Sequence, residues 1–213
     1  MIYAADNIEK TTKKLHKSFK ANSSYEGMNE DIDFIFSCAL HKKQSVWYTA
    51  VDELFWLATV SVGIQSRMLD VMKRGKAHEK FNITCSALLK YKGVPIDRDF
   101  IKQILELAII DKSKRVKIFG AQVADKLNFY ELADLIKTEM ENATDEEVKE
   151  CLSQDYIFLT KGYYIEKKGD RRSLHYRTGF RSIDENIEES RLHEWVLEEL
   201  KDYDRMKDLY FNK

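Results

Sequence analysis

Residues 45–74 read SVWYTAVDELFWLATVSVGIQSRMLDVMKR, and this stretch decides the fold class. Val46, Ala50, Glu53, Leu57, Val60, Ile64, Arg67 and Val71 recur at alternating spacings of four and three, the period of one helix face. Ser45 can open a helix and Gly75 can stop one, so the pattern predicts a single long helix from 45 to about 74. The run from 46 to 64 is apolar enough to raise the question of a membrane span. Asp52 and Glu53 interrupt it, and Thr49, Thr59 and Ser61 dilute it, so a buried core helix fits better.

Two members of this seam are charged. On one continuous helix, Glu53 and Arg67 stand about 21 Å apart and cannot pair with each other. If the seam is buried, each needs a partner from another helix, because an unpaired buried charge costs several kcal/mol. A carboxylate in apolar surroundings also has a raised pKa, as acid–base groups often do, which makes Glu53 a candidate catalytic acid. The plainer expectation is that Glu53 meets solvent or is neutralised by a Lys or Arg from elsewhere. Asp52, about 100° further round the helix, is expected to face water.

Outward from this stretch the same period continues. Residues 3–21 form an amphipathic helix with Ile8, Leu15 and Phe19 on one stripe, expected to dock on the parent fold. Further helices are expected at 29–43, with Glu30, Asp31 and Asp33 in the first turn, and at 84–91, broken by Gly93-Val94-Pro95. Asp97 caps one through Phe100, Ile104 and Ala108, and another covers 114–127. Asn128 with Glu131, and Thr144 with Glu147, have capping-box spacing, so two more helices start there.

The pattern changes at Tyr156. Aromatic and β-branched residues, a Gly169-Asp170 turn, and alternation of Leu174, Tyr176, Thr178 and Phe180 predict a β-hairpin at about 156–180 with one apolar face. A last helix at about 184–209 carries Ile187, Leu192, Trp195 and Leu200. The expected architecture is mainly α: a multi-helix bundle with a small C-terminal β-hairpin, in a single helical domain 1–213. Apolar residues at 44% suffice for a real core, and one proline with eight glycines is too few for many short strands.

The formal net charge of −1 provides no global pull toward nucleic acid or anionic membrane, so any such contact is local. Cys38, Cys85 and Cys151 are odd in number and far apart, the usage of reduced thiols. The first 22 residues carry lysines but no apolar core of a signal peptide, which predicts a cytoplasmic protein. The lysine-rich, proline-poor usage fits a low-GC bacterial or phage origin.

Motifs of common chemistries are missing. No two glycines lie within six residues of each other, which removes the usual P-loop and Rossmann turn. There is no C-x-x-C, H-E-x-x-H or G-x-S-x-G, and Glu189 and His193 have the wrong spacing for a carboxylate-bridged di-metal site. No cofactor and no metal are expected. HEPN-type ribonucleases, which are helical and of comparable size, carry an Arg followed after four to six residues by a His. Arg74 to His78 and Arg171 to His175 have only three residues between them. A helical HEPN-like hydrolase with Glu53 or His78 in a cleft stands as the alternative, on gross architecture.

The remaining candidate surface is the hairpin. Residues 161–181 hold seven basic residues against Glu166 and Asp170, interleaved with Tyr163, Tyr164, Tyr176 and Phe180. Basic residues around aromatics on a ribbon can track phosphates or an acidic protein. The flanking blocks 131–155 and 183–213 are strongly acidic, so the hairpin can equally be neutralised within its own fold. The favoured function is a non-catalytic interaction protein that binds another macromolecule through Lys167, Lys168, Arg171, Arg172 and Arg177. A protein partner is expected first, nucleic acid second, and no membrane.

Overall fold

The computed structural model describes residues 5–90, 96–168, 171–176 and 179–183, with isolated positions 191, 194 and 198. Among the described residues it is mainly helical, with three strands near the C-terminal end. The chain groups into two compact units, Met1–Val123 and Ala124–Lys213. Each is described by itself.

The first unit contains α1 (Ala5–Lys20), α2 (Met28–Ala39), α3 (Gln44–Ala58), α4 (Val62–Arg74), α5 (Ala77–Lys90), α6 (Arg98–Ile109) and most of α7 (Lys114–Lys126). α3 is its centre and packs against α1, α2, α4 and α5. Ala50, Val51, Leu54, Phe55, Leu57 and Ala58 are fully buried, so α3 hides more than one stripe, as a helix covered on several sides must. α1 docks through buried Ile8 and Leu15, with Phe19 half-buried. The Lys14 Nζ and the Tyr25 hydroxyl both donate to the Asp31 carboxylate, at 2.9 and 2.6 Å, and tie α1 and its following loop to α2. A Cβ at Gly120 would stand 2.7 Å from the Ala108 Cβ, so only glycine allows α7 this approach to α6.

The long helix predicted from 45 to 74 is two helices. α3 ends at Ala58 and α4 opens at Val62. Thr59 Oγ1 donates to the Trp56 carbonyl at 2.8 Å, and Gln65 Nε2 donates to the Ala58 carbonyl at 2.8 Å. Ser61 Oγ accepts from the Ile64 N–H at 3.4 Å as an N-cap. Three side chains thus satisfy backbone groups that a break exposes. The seam spacing ran across the break and concealed it.

Two other boundaries moved for similar reasons. α2 stops at Ala39, short of Lys42-Lys43, because Asn82 Nδ2 of α5 donates to the carbonyls of Ala39 and His41 at 3.0 Å each. α5 begins at Ala77, well before 84, where the Lys76 N–H donates to Glu79 Oε2 at 2.7 Å. That is the carboxylate half of a capping box, present without the usual Ser or Thr.

The second unit holds the end of α7, a 3-10 turn (Tyr130–Leu132), α8 (Ala133–Glu141), α9 (Glu146–Lys161), β1 (Tyr163–Lys168), β2 (Arg171–Tyr176) and β3 (Gly179–Ile183). Asn128 does not start a helix. It sits at φ 57°, its N–H bonds the Asp125 carbonyl, and the Phe129 N–H bonds the Ala124 carbonyl. This is a Schellman closure with asparagine in the left-handed position, so Asn128 ends α7. The cap of α9 is Asp145, whose Oδ1 accepts from the Val148 N–H at 3.1 Å, in place of the expected Thr144.

α9 runs on through Tyr156 to Lys161, residues expected in a strand, and Gly162 closes it at φ 82°. Strand propensity in 156–161 yields there to the helical stripe of α9, which Leu159 continues. The three strands pair antiparallel in the order β1-β2-β3. Tyr163 stands opposite Tyr176, and Tyr176 opposite Gly179. Phe180 therefore shares a row with His175 instead of the parity of Leu174, which corrects the single apolar face predicted across 174–180. Leu174 is fully buried. The helix expected at 184–209 lies outside the described residues, except for Arg191, Glu194 and Glu198, which are helical and exposed. No helix among the described residues is long and apolar enough to cross a membrane.

Candidate functional site

Glu53 lies on α3, half-buried, and its charge acts on Lys13 of α1. Lys13 itself is paired with Glu9, and Glu53 adds a smaller attraction. Next to Glu53, Asp52 is half-buried as well, a correction to the expectation that it faces water. Arg67, the other charged seam residue, is on α4 and pairs with Asp33 of α2 at 2.7 Å. Its guanidinium stands 4.1 Å from the centre of the Phe36 ring, so α2 and α4 are joined by charge and stacking together. His78 occupies the first turn of α5, half-buried, with Nε2 4.0 Å from Glu79 Oε1.

Two adjoining grooves in the first unit share Phe19 and Ser61. One, of about 480 Å³, is lined by Asn29, Asp33, Ile64 and Arg67 among others. The second, of about 420 Å³, lies along Ser23, Ser24 and Met28. Neither Glu53 nor His78 lines either groove, so the structure does not bring the two weak catalytic candidates together there.

The most buried ion pair among the described residues joins α5 to the turn before α7. Lys80 Nζ lies 2.6 Å from Asp111 Oδ2, with both side chains almost fully covered. Asp111 Oδ1 also accepts from the Ser113 N–H at 2.8 Å, which orients the carboxylate and fixes the turn into α7. Cys85 is half-buried, and burial pushes its thiol up to about 12, so it is a packed, unreactive group. No group of three or more His, Cys, Asp or Glu among the described residues could hold a metal ion.

Four of the five basic candidates lie in the sheet. Backbone register places Lys167 opposite Arg172 and Lys168 opposite Arg171, at the closed end of the β1–β2 ribbon. Arg181 stands opposite Leu174 on β3, and Arg177 lies outside the described residues. Like charges directly opposite each other on paired strands destabilise the pairing. Four of the five cations named from sequence thus stand in two adjacent cross-strand pairs of the backbone register.

One site was missed. On α9, Val148, Leu152, Asp155 and Leu159 form the buried stripe, and Asp155 is only 7% exposed. Its Oδ2 is buried with no hydrogen-bond partner. Asp125, in the last turn of α7, is buried too. Burial, and then the charge of Asp125, push the Asp155 carboxyl up to about 8, against a smaller opposing effect of Lys126. A carboxyl so placed holds a proton at neutral pH. The signal was in the sequence, an acid at spacing four and three within an apolar stripe. It was obscured because Asp155 counted as one more charge in an acidic block. No protein-family model, curated protein or solved structure matches this chain.

Proposed function

We infer that the chain is a non-catalytic interaction protein whose contact surface is the closed end of the β1–β2 ribbon, and that its partner is an anionic macromolecule, an acidic protein first. The observation that carries this is the register that sets Lys167 against Arg172 and Lys168 against Arg171. Two successive like-charge pairs cost the ribbon a few tenths of a kcal/mol to about 1 kcal/mol each, and a bound polyanion turns that cost into attraction. A cytoplasmic setting is supported by Cys38 and Cys85, which are packed as thiols. A helical hydrolase built on Glu53 or His78 has less support, since Glu53 is half-buried under the influence of Lys13 and His78 is beside Glu79.

The test replaces Lys167, Lys168, Arg171 and Arg172 together with Ala in the full chain. Melting is followed at two ionic strengths, and binding is titrated with a poly-glutamate peptide and with a single-stranded oligonucleotide. The expected result is an unchanged or slightly raised melting temperature, weaker peptide binding and a flatter salt dependence. A loss of stability that deepens at low salt would show the cations neutralising the chain's own acidic blocks, and would overturn the reading. Binding of the oligonucleotide alone would transfer the surface to nucleic acid.

A further inference from the structure

The second unit buries an acid without giving it a hydrogen bond. Asp155 sits in the middle of the apolar stripe of α9, its Oδ2 orphaned, with a second buried carboxylate, Asp125, within electrostatic reach. An ionised carboxylate in such surroundings is strongly disfavoured, and a neighbouring negative charge makes it more so. We propose that α9 undergoes proton-linked opening: it packs fully while Asp155 keeps a proton beside Asp125, and each step toward alkaline pH weakens that packing.

Among the described residues, charges from four elements bear on Asp155. From the end of α7 they are Asp125, which favours the protonated form, and exposed Lys126, which opposes it. α8, packed on α9, carries Asp134, Lys137 and Glu141 at exposed positions and Glu139 at a half-buried one. β1, which also packs on α9, carries Glu166, Lys167 and Lys168. On α9 itself, Cys151 is one turn earlier and half-buried, and Lys149 and Glu150 are exposed.

The sign follows from linkage. Asp155 takes its proton more tightly in the closed state, at about 8, than in an opened segment, where it behaves as an ordinary carboxyl. The stabilisation is complete below the ordinary carboxyl range, declines as pH rises from there, and is gone once pH passes the closed-state value. Over that window the opening constant rises by up to about tenfold per pH unit.

The experiment is hydrogen exchange of the full chain at pH 5, 6.5 and 8, corrected for the intrinsic pH dependence of exchange and read over residues 146–161. Wild type is expected to lose protection in that segment by up to about tenfold per pH unit. Asp155→Asn, which keeps the shape and removes the proton, should raise protection at pH 8 and flatten the slope. Asp125→Asn should end the decline at a lower pH, because one cause of the upward shift is gone. Equal slopes in wild type and Asp155→Asn would overturn the proposal, as would a wild-type segment whose protection does not change across the range. Should Asp155→Asn not fold, the Asp125→Asn shift alone decides it.

Discussion

Glu53 and Asp155 occupy the same place in the same pattern. Val46, Ala50, Glu53 and Leu57 on α3 repeat at four, three and four, and so do Val148, Leu152, Asp155 and Leu159 on α9. The outcomes diverge. Glu53 is half-buried and shares its surroundings with the positive charge of Lys13 on α1, while Asp155 is buried without a hydrogen bond at Oδ2. Periodicity says that a residue lies on the packed face, but not how deep its carboxyl goes. A glutamate has one more methylene with which to carry its head toward water, and α1 supplies a cation at the edge of that face. An aspartate is too short to leave the stripe. It responds by keeping its proton.

A third acid calibrates the other two. Asp111 is as buried as Asp155 but is paired with Lys80, so Lys80→Ala strands a carboxylate and should cost about 3–5 kcal/mol in chemical denaturation. A loss below about 1 kcal/mol would mean that water reaches Asp111, and that burial in this fold is a poor guide to charge cost.

Asp155→Asn tests the opposite sign. The amide preserves the volume and cannot ionise, so at pH 7 it should stabilise the protein by about 2–4 kcal/mol, with the gain shrinking as pH falls toward the ordinary carboxyl range. Destabilisation at pH 7 would place a partner on that carboxylate and erase the contrast with Asp111.

Glu53→Ala should be milder, about 1 kcal/mol or less, because a half-buried acid near an exposed lysine gains little. A cost of about 3 kcal/mol or more would instead make Glu53 the buried seam acid that its spacing suggests.

His16 gives the smallest effect and extends the comparison to a base. It is buried on α1 and stacked on Trp56 of α3, with ring centres 3.8 Å apart. Burial, and then Lys20, hold its pKa below the usual histidine value. The folded state therefore prefers the neutral ring, and stability is lost as pH falls below about 6.5. His16→Phe should shallow the acid limb of a melting-temperature profile, and an unchanged limb would show that protonated His16 is tolerated against Trp56.

Much of the helical layout was legible because its causes are local. Asp97 opens α6 by accepting from the Asp99 N–H, and the apolar periods of α1, α6 and α7 are visible in a window of a dozen residues. At one misplaced boundary the cause is a residue able to serve two ends. Asn128 has the chemistry of an N-cap and of a left-handed C-cap, and only the bonds to Ala124 and Asp125 settle which it is. Residues 156–161 suit a strand by composition and became the last turns of α9, where Leu159 continues the buried helical stripe.

The sequence by itself determined that the chain is mainly helical, that 161–181 is a basic stretch between acidic ones, and that two acids lie on apolar stripes. These are matters of period and composition, which neighbouring residues carry along the chain. Tertiary structure decided where the long seam breaks, which carboxyl receives Lys80, that Phe180 joins the row of His175, and that Asp155 is enclosed beside Asp125. Each of those depends on what arrives from a distant part of the chain. The energy of a buried charge is set by that arrival, since desolvation and partner distance belong to the packed state and not to the residue.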